Sequence, residues 1–451
     1  MSMFDAWFIV LRLLIGVSLL WRLRALPVAR RAATDATPCA VVVPARDEAG
    51  NLGPVLAAVR PQLQPDDELL VIDDHSRDDT ADVAAGHGVT VIAAPALPAG
   101  WTGKSWACWT GAGATSQPVL CFLDADTVLA PGSLARVVNA VESGGGLVSV
   151  QPYHRVPTPV ERLSALFNVV ALMGTGAFTL LGERVASRAA FGPVLAVRRA
   201  DYARLGGHRA VASNVLDDVA LAHRWRGAGL PVRCFAGRDD VSFRMYPGGL
   251  RSLVEGWTKN FATGAGAIRP LVALLTALWV SLPLQALWWL GRLALPGRSV
   301  QQVLVAAGLY VVTAGQLWWM LRRVGSFGLM TAALFPLPTI AFAVVFVRSL
   351  VQTLGRRTVR WKGRPVAVGR GLGSGPSGEP FPDGPTRSAS QGTRSQSADA
   401  AAVRSDTPSA SPPGAASTTT SASTSTSAPA ATSTPGPSAA STSRGRKNRS
   451  R

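Results

Sequence analysis

The chain has 451 residues, of which 47% are hydrophobic and only 16% are charged, and its mean hydropathy is +0.22. Soluble proteins carry about 25% charged residues, so this composition excludes a fully disordered chain and argues against a purely soluble enzyme. The formal net charge is +18, and more than half of it lies after residue 355. We interpret this charge as residues that flank membrane segments plus a basic tail, and expect no nucleic-acid partner. Four scattered cysteines indicate neither a zinc site nor a disulfide framework.

Residues 1–30 are predicted to form an N-terminal membrane anchor. Residues 6–21 are apolar except for Arg12, and a cluster of arginines follows them. The positive-inside rule then places the N-terminus outside and the next domain in the cytoplasm. A charged side chain in the middle of a span costs about 2.5–3.5 kcal/mol on insertion scales. Arg12 therefore favours a segment that lies partly in the membrane interface.

Residues 38–265 have the pattern of a soluble α/β domain. Short apolar, β-branched runs at 39–45, 68–74, 89–94 and 119–126 predict buried strands, and helical stretches separate them. This alternation predicts parallel strands with right-handed crossovers. Ligands bind such sheets at the carboxyl ends of the strands, where the polar residues of this domain cluster.

Residues 270–350 contain three uncharged stretches, at 270–291, 299–321 and 324–347. Each is long enough to cross about 30 Å of hydrocarbon as a helix. Three crossings would put Arg356 outside, whereas the positive-inside rule prefers it inside, so we expect one stretch to be re-entrant or interfacial. Residues 365–451 are rich in Ser, Thr, Ala and Pro and predict a disordered basic tail.

The strongest chemical signal is the pair Asp124 and Asp126, which leaves the predicted strand at 119–126. Two carboxylates at this spacing can point into one cleft, and their oxygens suit Mg²⁺ or Mn²⁺ that bridges a diphosphate. The alternative is a turn or a helix cap, because Asp is a common turn residue.

Polar residues also follow the first two predicted strands. Asp73 and Asp74 end the second strand, where a carboxylate can contact a nucleotide or cap the next helix. Pro44, Arg46 and Glu48 lie at the end of the first strand, in a turn that offers backbone N–H groups and polar side chains to a ligand.

Four further charged residues lie near predicted helix starts or membrane segments. Lys104 is one of only four lysines and lies in the loop GWTGKS, where it can contact a phosphate, although the spacing is not that of a Walker loop. Asp217 and Asp218 open a predicted helix, either as complements to its dipole or with one as a general base. Lys259 precedes the membrane segments and either holds a departing diphosphate or lies at the interface.

The ordered set VVVPARDEAGNL, LLVIDDHS, GWTGKSWA, FLDADT, FGPVLAVRRADYARLGGH and VLDDVALAHR resembles the family 2 glycosyltransferases. The resemblance covers residues 38–265 and implies a GT-A domain, with a mostly parallel sheet flanked by helices. The GWTGK loop and the C-terminal membrane segments are most similar to the carotenoid-acid and hopanoid-associated branches. The Gln-x-x-Arg-Trp motif of processive polysaccharide synthases is missing, which argues against a long-polymer synthase.

The resemblance also implies roles for individual residues. Asp73 and Asp74 would contact the nucleotide, and Lys104 would lie near the diphosphate. Asp124 would bind both the nucleotide and the metal, and Asp126 the metal. Asp218 would be the catalytic base, next to Asp217, which stands where the family has Glu.

We therefore predict a multi-pass, inverting glycosyltransferase of the cell membrane with a cytoplasmic catalytic domain. It would use Mg²⁺ or Mn²⁺ and move a sugar from a nucleotide sugar, a UDP-hexose, to a lipid such as a carotenoid acid or a hopanoid. The alternatives are a polyprenyl-phosphate or polysaccharide glycosyltransferase and a membrane scaffold with a degenerate nucleotide domain. A nucleotidyltransferase is disfavoured, since PARDEAG stands in place of its Gly-rich loop.

Overall fold

A computed structural model describes residues 3–28, 37–182, 187, 189–264, 268–297, 299–356, 358–361 and 364–367. The predicted tail lies outside the described residues apart from its first three positions. The strands β1 to β12, in chain order, are Cys39–Ala45, Glu68–Asp73, Thr90–Ala93, Val119–Leu123, Thr127–Leu129, Leu147–Gln151, Tyr153–His154, Val194–Arg198, Val232–Ala236, Val241–Phe243, Thr358–Trp361 and Arg364–Ala367. The helices α1 to α14 are Met3–Leu19, Ala49–Val59, Thr80–Gly86, Gly103–Gly113, Ser133–Gly144, Pro159–Arg162, Ala165–Thr175, Arg199–Arg204, Asp217–Gly227, Gly249–Gly264, Pro270–Leu293, Val300–Val324, Gly328–Ala333 and Pro336–Arg356.

A seven-stranded sheet organises the N-terminal half, in the order β3-β2-β1-β4-β8-β6-β9. The neighbours β3, β2, β1 and β4 are parallel, whereas β8 runs antiparallel to β4 and β6. Helices on both faces bury the apolar runs of β1 and β4. The predicted mostly parallel sheet flanked by helices is thus confirmed, and the carboxyl ends of β2, β1 and β4 meet at one edge.

The predicted strand at 119–126 ends earlier than expected, at Leu123. Asp124 donates its backbone N–H to the carbonyl of Pro193 at 3.0 Å, and Thr127 donates to the carbonyl of Asp124 at 3.0 Å. These bonds turn the chain from β4 into β5. Asp124 and Asp126 therefore lie in a turn at the sheet edge instead of within the strand.

Three of the described helices are long and apolar enough to cross a membrane: Pro270–Leu293, Val300–Val324 and Pro336–Thr353. The shorter helix α1 packs against α11, where Gly16 lets the ring of Trp279 approach its backbone. Gln316 of α12 joins the three helices, since it accepts from the Trp279 indole at 2.9 Å and donates to the carbonyl of Leu13 at 2.7 Å.

The last apolar stretch leaves the α/β domain and returns to it. At its start, Ser326 donates its backbone N–H to the carbonyl of His154 at 2.8 Å. At its turn, the ring of Phe335 lies 4.8 Å from that of Tyr310, which is near the middle of α12. Towards its end, the hydroxyl of Ser349 donates to the carbonyl of Thr258 in α10 at 3.0 Å. The helices α13 and α14 thus form a hairpin, both ends of which contact the part of the chain that precedes α11.

Candidate active site

The ends of β1 and β2 form one side of the site. Ala45 pairs with Asp73 in the ladder, so the residues after each strand come together. Arg46 donates to the backbone carbonyl of Asp74 at 2.9 Å and faces its carboxylate at 3.4 Å. The carboxylate of Asp73 accepts from the backbone N–H of Ser76 at 3.3 Å. These contacts hold the half-buried carboxylate of Asp73 and the buried carboxylate of Asp74 at the carboxyl end of β2.

Glu48 and Pro44 belong to the same edge. Pro44 lies in β1 opposite Ile72. Glu48 donates its backbone N–H to the Thr80 hydroxyl at 2.8 Å, and its carboxylate accepts from the Asn51 amide at 2.7 Å. The charge of Glu48 acts on both carboxylates of the turn after β4. It therefore connects the two sides of the site.

Lys104 lies in the first turn of α4, behind the N-cap Thr102. Its ammonium lies 2.6 Å from the Asp124 carboxylate, so this pair joins the GWTGKS loop to the turn after β4. Burial opposes the charged form, but Asp124 and Asp217 outweigh it and raise the pKa of Lys104 well above its ordinary value. Lys104 therefore stays a cation, at a helix N-terminus that also favours anions.

Asp218 faces Lys104 across Gly192. A side-chain carbon at Gly192 would lie 3.2 Å from the Asp218 carboxylate and 3.3 Å from the Lys104 ammonium. Gly192 precedes β8 and is held next to the turn after β4, because the carbonyl of Pro193 accepts from the backbone of Asp124. A side chain at residue 192 would therefore crowd both groups, and glycine lets the acid and the cation approach the same point of the backbone.

The adjacent carboxylates Asp217 and Asp218 differ in protonation. Burial alone would raise the pKa of Asp217, but Lys104 and His208 lower it to about 2. Burial and the charge of Asp217 raise the pKa of Asp218 to about 7. Neighbouring acids with separated pKa values suit different roles: Asp217 is a fixed anion, and Asp218 can exchange a proton near neutral pH.

The sequence reasoning missed two residues that support Asp217. The ring of His208 lies 3.6 Å from the Asp217 carboxylate, and its other nitrogen is 2.8 Å from the Tyr202 hydroxyl. Tyr202 also accepts from the backbone N–H of His208 at 3.1 Å. The motif DYARLGGH carried both residues, but without a visible partner for either of them.

Asp126 lies in the most negative part of the site. Burial and the charges of Asp124 and Glu48 raise the pKa of Asp126 to about 7. A divalent cation would relieve this repulsion, so the donor set fits one. Among the described residues no group of three or more Asp, Glu, His or Cys is arranged to hold a metal. Mg²⁺ is commonly held by only one or two carboxylates together with substrate phosphates.

The structure thus brings Glu48, Lys104 and the four aspartates 124, 126, 217 and 218 into electrostatic contact. Asp73 and Asp74 lie one strand beyond β1, two strand spacings or roughly 10 Å from the turn after β4. A single ligand of about this length can reach both strand ends. The site thus contains two carboxylates suited to a metal ion, a cation suited to a phosphate and an acid that can exchange a proton. These are the groups that would be needed to displace a phosphate from a carbon atom.

Comparison with known proteins identifies the family of this chain. Residues 40–181 match the family model described as glycosyl transferase family 2. The chain is 34% identical over 334 residues to the 4,4'-diaponeurosporenoate glycosyltransferase of Staphylococcus aureus strain USA300, an alignment that covers 73% of this chain and 88% of that enzyme. The homologue from strain MRSA252 is also 34% identical, over 336 residues.

Two solved structures match this chain at low identity. A mannosyltransferase from Pyrobaculum calidifontis, in complex with GDP-Man and Mn²⁺, has 16% identity and a TM-score of 0.44, and the match covers 77% of this chain and 99% of that one. A glucosyl-3-phosphoglycerate synthase from Mycobacterium tuberculosis has 20% identity and a TM-score of 0.38, with coverages of 54% and 83%.

The chain belongs to glycosyltransferase family 2. It is an enzyme, in agreement with the predicted class and in contrast to the scaffold alternative. Asp217 and Asp218 lie beyond the residues that the family model matches. Their place in the site therefore depends on the geometry around Gly192.

Proposed function

We propose that the protein transfers a hexose from a nucleotide sugar, a UDP-hexose, to the carboxylate of a long apolar acid of the carotenoid-acid class. The observation that carries this proposal is the close approach of the Asp218 carboxylate and the Lys104 ammonium, itself paired with Asp124, to Gly192. The named Staphylococcus aureus relatives support the acceptor class.

The donor would lie along the sheet edge. Asp73 and Asp74, with Arg46, Glu48 and the Pro44 turn, would contact the nucleoside. Lys104 would contact the diphosphate from the N-terminus of α4. Asp124 and Asp126 would hold Mg²⁺ or Mn²⁺, which when bound supplies positive charge to the leaving diphosphate.

The chemical step would be a single displacement with inversion. An acceptor oxygen attacks the anomeric carbon, and the bond from that carbon to the diphosphate oxygen breaks with its electron pair. A carboxylate acceptor brings no proton, so it needs no base. A hydroxyl acceptor would give its proton to Asp218, which has a pKa suited to this task.

The membrane arrangement would keep the acceptor close to the site. Both ends of the α13–α14 hairpin contact the catalytic domain or α10. We therefore infer that α11 and α12 cross the cell membrane and that the hairpin is re-entrant. The catalytic domain and Arg356 then lie on the same, cytoplasmic, face, as the positive-inside rule prefers. Such placement raises the local concentration of an apolar acceptor.

The test is incubation of membranes that contain the full chain with nucleotide sugars and lipid acids, scored by the mass of the products. We expect transfer from a UDP-hexose that a chelator abolishes and added Mn²⁺ or Mg²⁺ restores. Asp126→Ala should lower transfer by about 10²–10³-fold, because it removes charge stabilisation of the leaving group.

Asp66→Ala is the matched control for this variant. Asp66 is exposed and precedes β2 at the opposite end of the sheet, so its loss should leave transfer unchanged. Chelator-resistant transfer, or an Asp126→Ala enzyme as active as the parent, would contradict the proposed metal role. Transfer only to polyprenyl phosphate or to a growing polysaccharide would contradict the acceptor class.

A further inference from the structure

The segment between α7 and β8 exposes two large apolar side chains. Leu180 is 52% exposed and Leu181 is 54% exposed, whereas Phe178 in the same segment is fully buried. Single exposed leucines are common on protein surfaces, so the surroundings of this pair decide whether it has a role.

This segment is fixed to the end of α1. The backbone N–H of Leu180 donates to the carbonyl of Ser18 at 2.7 Å, and that of Arg22 donates to the carbonyl of Phe178 at 3.0 Å. A side-chain carbon at Gly182 would lie 3.1 Å from the guanidinium of Arg22. The two leucines therefore lie beside the last turn of α1, with the exposed, basic Arg22 next to them.

The last turn of α12 lies at the same level as the end of α1. Arg323 donates to the carbonyls of Leu20 and Trp21, both at 2.8 Å. The rings of Trp21 and Trp319 are 6.4 Å apart, and the guanidinium of Arg323 lies 4.4 Å from the ring centre of Trp319. Tryptophan and arginine at the end of a long apolar helix are typical of the boundary between hydrocarbon and water. This boundary therefore passes beside Leu180 and Leu181.

The pair also continues an exposed apolar face of α1. Trp7 is 68% exposed and Leu14 is 61% exposed, although α1 packs on the candidate membrane span α11. Large apolar side chains next to a basic one are typical of a surface that faces acyl chains with its apolar part and lipid phosphates with its charge. Continuity with α1 and α12 thus favours lipid as the partner of this surface.

Phe178 connects the segment to the candidate active site. Its ring stacks on that of Phe191 with centroids 5.8 Å apart. Phe191 is held by Ser149, whose hydroxyl donates to its carbonyl at 3.0 Å. The next residue is Gly192, which Asp218 approaches. The depth of the segment in a membrane would therefore determine how far Gly192 lies from the lipid.

We propose that Leu180 and Leu181 insert into the cytoplasmic leaflet beside the end of α1, with Arg22 at the level of the lipid phosphates. The partner is the phospholipid bilayer itself, and its role is to hold Gly192 close to the membrane. This inference rests on the membrane path of α12 that belongs to the proposed function, and it is independent of the identity of donor and acceptor.

The test uses the full-length protein in phospholipid vesicles, with the fluorophore NBD attached to one introduced cysteine. For Leu180→Cys and Leu181→Cys, labelled separately, nitroxide lipids that carry the spin label near the headgroup should quench most of the fluorescence. Nitroxides at the end of the acyl chain should quench less of it. The native cysteines are all buried and should take up little label.

Two labelled variants are the controls. Asp66→Cys carries the label at an exposed position at the opposite end of the sheet, and neither nitroxide should quench it. Val311→Cys carries it near the middle of α12, where Val311 is 67% exposed, and the deep nitroxide should quench it most. An unchanged melting temperature reports that a labelled variant is folded, and each leucine position is measured independently of the other.

The inference is overturned if residue 311 is quenched but residues 180 and 181 behave like residue 66. If residue 311 is not quenched either, the proposed membrane path of α12 is wrong, and this inference fails with it. Sugar transfer is measured in a separate assay, so a wrong donor or acceptor would leave the quenching result unchanged.

Discussion

Two adjacent acids at the start of α9 have opposite environments, and this difference decides which of them can act as a base. Asp217 is 5% exposed and is balanced by Lys104 and His208, so it stays ionised. For Asp218, burial and the charge of Asp217 outweigh the effect of Lys104 and raise the pKa to about 7. A side chain that titrates near the working pH is the better proton acceptor.

The role of Asp218 should depend on the acceptor. Asp218→Asn should lower transfer to a hydroxyl acceptor by about 10²–10⁴-fold, the usual contribution of a general base. Transfer to a carboxylate acceptor should fall far less, because no proton leaves it. The measurement is kcat/KM of the same enzyme for a matched acid and alcohol.

The pH dependence gives an independent control. The base must be ionised, and the ionised fraction of a group with a pKa of about 7 rises as the pH rises through 7. Transfer to the alcohol should therefore fall below pH 7 and level off above it, and Asp218→Asn should lose this dependence. An equal loss for both acceptors would show that Asp218 acts in another way.

At the residue scale, the charged residues of the candidate site could be named from the sequence, but the residues that contact and position them could not. Asp124 and Asp218 could be named because they lie at a strand end and a helix start, although carboxylates at such positions are also common in turns and at helix N-termini. Gly192 and His208 do not stand out, since the close approach at Gly192 and the buried contact between His208 and Asp217 exist only after β8 and α9 have packed. Contacts between residues far apart in the chain leave no local pattern.

At the element scale, the structure explains how α1 accommodates Arg12. Its guanidinium donates to the hydroxyl of Ser281 at 3.1 Å and also to the side-chain carbonyl of Gln285. Only 3% of Arg12 is exposed. The predicted penalty of a charge facing lipid therefore does not apply, because the charge faces α11 and links the two helices.

The two sides of this contact should not be equivalent. Gln285→Leu leaves a buried charge with fewer partners, whereas Arg12→Leu leaves two neutral groups and removes the charge. Leaving a buried charge without hydrogen-bond partners lowers the free energy of unfolding more than leaving a buried neutral group without them, for which the penalty is about 1–3 kcal/mol. We expect Gln285→Leu to lower the melting temperature in detergent more than Arg12→Leu does.

Gln301→Leu serves as the control for this pair. Gln301 is exposed near the start of α12, so its replacement by Leu should leave the melting temperature nearly unchanged. A larger loss from Arg12→Leu would mean that packing of the long side chain, and not its charge, holds α1 on α11.

At the scale of the whole molecule, hydropathy located the apolar stretches but not their path. Hydropathy averaged over a window depends only on the length and composition of a segment. The stretch at 324–347 is long enough and apolar enough to cross a membrane. Its path depends on contacts made by its ends, which are 23 residues apart at Ser326 and Ser349. The conflict between three crossings and the positive-inside rule is the feature of the sequence that favours a re-entrant or interfacial stretch.

The re-entrant path predicts which residues face each side of the membrane. Pro296→Cys places a thiol between α11 and α12, and Gln352→Cys places one near the end of α14. A membrane-impermeant maleimide added to intact cells should label the first and not the second, because only α11 separates the first from the catalytic domain. The native cysteines are all buried and should add little background.

Permeabilising the cells should allow the maleimide to label the thiol at residue 352. It should then also label a thiol introduced by Arg77→Cys, at an exposed position of the catalytic domain. Whether residues 352 and 77 are labelled under the same conditions decides between the two paths of α14. A full crossing by α14 would put residue 352 on the same side as residue 296, and both would then react in intact cells. The hairpin, with its ends held by His154 and Thr258, requires residue 352 to follow the catalytic domain.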